Sequence, residues 1–315
     1  MVSLRSKVSL QRWKSTIIGL LFLGSMGPML GQNETNPKQL RKIEDHVYLF
    51  QGGGNWALTS LVLEDDDGLI LVDTHFSDKN NELLILGIKA QFPDKKVKTL
   101  VISHPHADHF MGTYLFERAF GNIEVIGIKG EKEHMQQTAK ILYKAYQEVA
   151  PEPKVKLDNI VYPTKEIEGD FEISFSGRVA KFEMIDQNES WKSWVLYLPD
   201  SSLLYLGDLY WGGLTLDSNG FGSSLIGWEK ELRKVMNRKT GIVIPGHGIG
   251  VYDRKTVYDF LYLMDNFITK SKEKIQNGMT QEEYVKAQFH KNLEFFGGRE
   301  VNLKRAYNEL KGILK

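Results

Sequence analysis

The chain has 315 residues, enough for one large domain or two small ones. Hydrophobic residues make up 42% and charged residues 25%, and 40 basic residues balance 40 acidic ones, which speaks against an electrostatic nucleic-acid binder. Cysteine is absent, which excludes disulfides, thiolate-held metals and a cysteine nucleophile, and makes the eight histidines the first residues to place.

Residues 1–31 differ from the rest. Arg5, Lys7, Arg12 and Lys14 are basic, no acidic residue precedes Glu34, and the apolar run Ile17 to Leu23 leads into Gly24, Ser25, Gly27 and Pro28. A basic start, a short apolar run and small residues near a cut site form a secretory signal peptide, with cleavage expected after Gly31. Gly and Pro break the run short of the about 20 residues that span a membrane, so an anchor is the weaker reading. No cysteine is present to carry a lipid, so a periplasmic or secreted product is expected, with membrane contact only through the export signal. Loss of the leader makes the remainder mildly acidic. Residues 32–40 read as a polar, disordered lead-in, and 41–315 as the folded domain.

Residues 47–51, 57–63 and 69–73 read as strands of an antiparallel meander. They are separated by the turn chemistry of Gly52-Gly53-Gly54-Asn55 and Asp65-Asp66-Asp67-Gly68. A helix over 80–92 ends at Pro93, followed by a strand over 97–103, a helix over 110–119, a strand over 123–126 and a helix over 131–149. Strands resume at 171–175, 178–184, 194–198 and 203–206. A helix over 225–236, a strand over 241–244 and a helix over 255–275 follow, then helices over 281–289 and 302–314. Strands then helices, twice over, imply an α/β fold: a four-layer α/β/β/α sandwich with extra C-terminal helices across 255–315.

The expected strand Thr99-Leu100-Val101-Ile102-Ser103 runs into His104-Pro105-His106-Ala107-Asp108-His109. Four potential ligands thus lie within six residues at the end of a buried strand. Alternate side chains of a loop can share one centre, so His104 and His106 can hold one metal while Asp108 and His109 reach a second position. Imidazole and carboxylate are the ligands a divalent metal accepts when thiolates are missing, Zn²⁺ first, with Mn²⁺ and Fe²⁺ as alternatives.

The sequence here resembles the metallo-β-lactamase-fold hydrolase superfamily, whose HxHxDH signature is matched by His104, His106, Asp108 and His109. The resemblance runs from about residue 47 to 258. Gly68-Leu69-Ile70-Leu71-Val72-Asp73-Thr74 looks like the family's early strand, which implies that Asp73 orients a ligand histidine. Leu203-Leu204-Tyr205-Leu206-Gly207-Asp208 looks like the strand ending in the metal-bridging aspartate, and implies that role for Asp208. Ile242-Val243-Ile244-Pro245-Gly246-His247-Gly248 looks like the last ligand loop, and implies that His247 joins Asp108 and His109 at the second metal. One departure stands out. Relatives carry a third first-site histidine at a set interval before the bridging aspartate, and in this chain that interval falls on Glu189. No histidine lies between His134 and His247. Glu189 is therefore a candidate carboxylate ligand, with Asp186 as the minor alternative and an incomplete first site as the competing reading.

Other residues are weighed beside these. His75, after Asp73-Thr74, is a candidate for a supporting or substrate role, with a structural role as the competing reading. Trp56 on the glycine hairpin is a candidate wall of a flap. Tyr210 and Trp211, directly after Asp208, are candidates to line the pocket. His134 is expected on a solvated helix face.

The resemblance implies catalysis by a metal-bound hydroxide, with Asp208 bridging and Asp108 orienting the nucleophile and shuttling the proton. The expected substrate is a small carbonyl compound: an ester, lactone, thioester or β-lactam amide. The alternatives are a β-lactamase proper and a metal-binding accessory protein without catalysis. A nucleic-acid partner is not expected, and the sequence leaves the oligomeric state open.

Overall fold

The structure is a computed structural model that describes residues 39–53, 58–137, 139, 156–186, 190, 192–212, 224–287 and 300–314. The leader over 1–31, Trp56 and Glu189 lie outside the described residues. Residues Asn36–Lys315 form one unit.

The meander expected near the start is the first half of a seven-stranded sheet. Its strands are β1 (Arg41–Glu44), β2 (Val47–Gln51), β3 (Thr59–Glu64), β4 (Leu69–Val72), β5 (Val97–Val101), β6 (Glu124–Ile128) and β7 (Lys165–Ile167), in that spatial order. β1 to β4 pair antiparallel and β4 to β7 pair parallel. The parallel half needs crossovers, and helices supply them. They are α1 (Asp78–Gln91), the short α2 (Ala107–Phe110), α3 (Thr113–Phe120) and α4, helical over residues 131–137.

The second sheet holds β8 (Phe171–Phe175), β9 (Arg178–Asp186), β10 (Lys192–Leu198), β11 (Leu203–Tyr205) and β12 (Ile242–Ile244). It is antiparallel except for the β11–β12 pair. Its outer face is covered by α5 (Leu225–Met236), α6 (Arg254–Gln276), α7 (Gln281–Lys286) and α8 (Glu300–Ile313).

Side-chain alternation assigns the three cores. In β2, Val47 and Leu49 face the second sheet while Tyr48 and Phe50 face the α1–α3 layer. Successive strand residues point to opposite faces, so a strand buried on both sides reads as an unbroken apolar run. The central layer joins Leu61, Val72, Val101 and Ile126 to Phe182, Trp194, Leu196, Tyr205 and Ile244. The outer layer beyond the second sheet joins Val195, Leu204 and Val243 to Trp228, Leu232, Met264 and Phe267. The four-layer sandwich with added C-terminal helices is therefore the architecture observed.

Several bounds differ from expectation: β5 ends at Val101 rather than at 103, β9 runs on to Asp186, and α7 ends at Lys286. The helix expected over 110–119 begins only at Thr113 as α3, and the separate short α2 precedes it; Gly112, between them, seats its backbone against the Asn81 side chain, where a Cβ would collide. β1 and β7, sequences RKIE and KEI, carry no strand signal: each is a short, polar edge strand, a common way to blunt a sheet edge. β10 begins at Lys192, two residues earlier than expected.

Candidate metal centre

The parallel pairs β4–β5 and β11–β12 end at one place. β4 leads to Asp73, β5 to His104 and His106, and α2 opens with Ala107, Asp108 and His109. From the other sheet, β11 leads to Asp208 in a 3-10 turn over Gly207–Leu209, and β12 leads to His247. Backbone bonds lock these ends together: Leu206 N–H donates to Ile244 O, Gly246 N–H to Gly207 O, and Thr59 N–H to Gly246 O. Gly246 must be glycine, because a Cβ there would stand 2.5 Å from Oδ1 of Asp208.

Two groups of ligand atoms converge, each with all atoms within 4.8 Å: His104, His109 and Asp208 in one, Asp108, His109 and His247 in the other. Asp208 faces both. Its Oδ2 lies 3.6 Å from His104 Nε2, and its Oδ1 lies 3.2 Å from His109 Nε2 and 3.3 Å from His247 Nε2. Asp108 Oδ2 lies 3.2 Å from His247 Nε2. All five residues are buried. His106 enters neither group. It is half-buried, with its ring edge-on to His104 at 4.6 Å.

Asp73 holds the ligands in place. Ser103 N–H donates to its Oδ1 at 2.7 Å, and its Oδ2 accepts from Ser103 Oγ at 2.7 Å, His109 Nδ1 at 2.9 Å and Tyr205 OH at 2.7 Å. The Nδ1–H bond leaves the Nε2 lone pair of His109 as the ligand atom. Ser103 Oγ, its proton spent on Asp73, accepts from His104 Nδ1 at 3.1 Å and sets the same tautomer there. One carboxylate thus orients a histidine of each group. Asp73 sits at φ 59°, a left-handed conformation that aspartate tolerates and that turns its side chain into this web.

Electrostatics follow from burial and proximity. Without metal, burial works to lower the pKa of His109, but Asp208, Asp73 and Asp108 outweigh it and raise it well above the usual histidine value. Burial opposes protonation of His247 as well, yet Asp208 and Asp108 lift it to about 9. Burial and the positive His109 hold His104 neutral. Burial opposes ionisation of Asp108 and Asp208, but the neighbouring histidines keep both well below the ordinary range.

The donor set fits a divalent metal. Nε2 of His109 and Oδ1 of Asp208 are buried, 3.2 Å apart, and out of hydrogen-bond alignment, with no hydrogen-bond partner among the described residues. Two buried polar atoms in that posture converge on a third centre. Three imidazoles and two carboxylates without thiolate suit Zn²⁺ or a harder relative.

The sequence profile of the metallo-beta-lactamase superfamily matches residues 53–247. The chain belongs to the metallo-beta-lactamase superfamily. The Metallo-beta-lactamase type 2 of Bacillus cereus is 22% identical over 227 residues, covering 69% of this chain and 79% of that one. The alpha subunit of 2,4-dinitroanisole O-demethylase from Nocardioides sp. strain JS1661 is 24% identical over 218 residues, covering 66% of this chain and 59% of that one. Among solved structures, a metallo-beta-lactamase from Pontibacter korlensis superposes with a TM-score of 0.56 at 18% identity, over 72% of this chain and 99% of that one. The stereoselective inverting sec-alkylsulfatase of Pseudomonas sp. superposes with a TM-score of 0.65 at 17% identity, over 86% of this chain. The chain spans about half the length of that sulfatase. Members of this superfamily are mostly metal-dependent hydrolases, and the histidine–aspartate groups are those a divalent metal takes.

The remaining candidates fall into different places. His75 lies beside the metal groups, 1% exposed, with Nε2 3.1 Å from Ser60 Oγ and Nδ1 against Gly52. Burial, then the positive His109 and His247, push its pKa down to about 3, so it is neutral. The Trp211 ring packs against that of His247, with centroids 4.3 Å apart and the planes tilted by 38°. Tyr210, expected in the pocket, turns instead into the outer core against Tyr252 and Phe260, because adjacent extended residues face opposite ways. His134, expected in solvent, is half-buried, and both burial and the charge of His106 lower its pKa.

Sequence reasoning missed Tyr205, Ser103 and Gln51. Tyr205 reads as a core aromatic and Ser103 as a strand end. Gln51 Nε2 donates to Gly248 O at 3.2 Å and Gly250 O at 3.0 Å, and its Oε1 accepts from Gly250 N–H at 2.9 Å. Nothing local announces a partnership across about two hundred residues.

Proposed function

We propose that the chain is an exported, metal-dependent hydrolase of a small carbonyl substrate, and that its metal is zinc. The observation that supports this reading best is the pair of buried ligand groups joined through Asp208 and His109. In this reading His104, next to Asp208, would hold the first metal, with His106 and Glu189 as the further ligands that the sequence motif calls for. Asp108, His109 and His247 would hold the second, with Asp208 facing both groups. A divalent metal supplies a Lewis acid for the carbonyl oxygen and lowers the pKa of water from 15.7 to about 7. Asp108 accepts a hydrogen bond from the attacking water at a carboxylate oxygen, orients it, and passes its proton to the leaving group. Asp73, through Ser103 and His109, keeps both imidazole tautomers fixed while charge moves. The buried walls exclude bulk water, which strengthens each of these interactions.

A sulfate ester is the second reading. The sec-alkylsulfatase likeness covers 86% of the chain, against 72% for the solved lactamase, and so takes in more of the chain.

Metal content of the purified protein tests the centre. Two metals per chain falling to one in Glu189→Ala would establish that ligand, and two in both would remove it. A panel of a lactone, a thioester, an aryl ester, a cephalosporin and an alkyl sulfate then assigns the reaction. Inactivity on the whole panel by fully loaded protein would overturn the hydrolase reading in favour of a metal-binding accessory protein.

A further inference from the structure

The C-terminal helix α8 reaches the start of α5 through one side chain. Glu309 Oε1 accepts from Ser224 Oγ at 2.5 Å and from Ile226 N–H at 3.2 Å, and its Oε2 accepts from Leu225 N–H at 2.9 Å. Ser224, the residue before α5, in turn accepts from Gly227 N–H at 2.9 Å. A helix leaves the N–H groups of its first turn without partners of its own. Here Leu225, Ile226 and Gly227 all find one, two of them on a carboxylate from another helix, whose negative charge suits a helix start.

The same turn of α5 carries Trp228. Its side chain is fully buried, and its indole N–H donates to Leu209 O at 2.7 Å. Leu209 closes the three-residue 3-10 turn Gly207–Leu209, whose middle residue is Asp208. So short a turn has few internal bonds, and its shape is set by what it touches. Gly246 N–H donates to Gly207 O at 2.8 Å on one side of Asp208, and Trp228 holds Leu209 O on the other. Hydrogen bonds thus run from α8 through the first turn of α5 to the carbonyl beside Asp208.

We propose that Glu309 and Trp228 position Asp208, acting in series, so that α8, a helix outside the second sheet, supports the metal centre. The inference rests on the metal-binding part of the function proposed above. Asp208 faces both ligand groups, so loosening it weakens both metals together.

Titration of the metal-free protein with Zn²⁺ against a competing chelator tests it. Trp228→Phe keeps the aromatic bulk and loses the N–H, and weakens both metals by about tenfold, the lower end for outer partners of metal ligands. Glu309→Gln puts an amide NH₂ against a backbone N–H and lowers both affinities by less. The double variant binds no more weakly than Trp228→Phe alone, because residues in one network do not add. Leu310→Ala serves as the control for general stability: Leu310 is buried in the outer core next to Glu309 in the chain, and its loss lowers the melting temperature and leaves both affinities in place. An unaltered affinity in Trp228→Phe or in Glu309→Gln, a loss confined to one metal, losses that multiply in the double variant, or an equal loss in Leu310→Ala would each overturn the proposal and leave the metal centre standing. A wild type that takes up no divalent metal would sink the metal centre itself, and the proposal with it.

Discussion

At the scale of single residues, two buried groups carry the sharpest expectations. Tyr205 OH is one of four donors on Asp73, and Asp73 sets the tautomer of His109. Tyr205→Phe removes that bond and little volume. It is expected to lower metal affinity by about tenfold, the lower end for outer partners of a ligand histidine, without unfolding the chain. Metal titration with a chelator competitor reads this, and an unaltered affinity would show that three donors suffice. Glu131, the first residue of α4, is 2% exposed, and neither carboxylate oxygen has a hydrogen-bond partner among the described residues. Burial first, then Glu166, raises its pKa well above the usual range, against the pull of Lys192. The folded state therefore holds a proton that the unfolded chain releases above about pH 4.3. Stability from this group is full below that value and is lost as pH rises towards the folded pKa. Glu131→Gln removes the slope, so the variant matches the wild type near pH 4 and exceeds it at pH 8. Urea melts at the two pH values would show it, and a variant less stable than wild type at pH 8 would contradict it.

At the scale of elements, the last ligand loop depends on a residue at the far end of the chain. Gln51 closes β2 and grips Gly248 and Gly250, while Arg41 on β1 donates to its Oε1 at 2.9 Å. Gln51→Leu keeps the side chain's bulk and removes every one of these bonds. The expected result is a loosened His247, with the second metal bound more weakly than the first, so that stepwise metal titration of the variant separates into two phases. A single unchanged phase would mean that β12 alone fixes His247. The elements also show where local reading works. The limits of α5 and β8 match the expectation because each is a clear amphipathic or alternating run between turn residues. The start of α3 is less legible, because Gly112 before it packs against Asn81 on α1, a contact that the local sequence does not show.

At the scale of the whole molecule, two sheets bring like charges together in a dry space, and only metal or protons reconcile them. In the metal-free protein His247 keeps its proton up to about pH 9, held by Asp208 and Asp108 against burial. That contribution is complete below pH about 6.5, the value in an unfolded chain, and fades as pH rises through 9. Metal must displace the same proton. The gap in melting temperature between metal-loaded and metal-free protein should therefore widen from pH 6.5 to 9. Calorimetry across that range decides the matter, and a constant gap would mean that His247 is neutral without metal.

The sequence alone determined the ligand loop and the order of elements. His104, His106, Asp108 and His109 are close in the chain, so their spacing alone signals metal chemistry. Strands and helices are written in local periodicity, and their alternation implied two sheet–helix layers. Asp208 and His247 were legible only by resemblance, because neither strand carries a metal signal of its own. The tertiary structure decided what depends on stacking one sheet against the other. It brought Tyr205 onto Asp73, set Gln51 against Gly250, left His106 outside both converging groups, and turned Tyr210 into the core while Trp211 stayed at the rim. These are contacts between residues tens to hundreds of positions apart, and their geometry follows from the packing of layers, which no local pattern in the chain encodes.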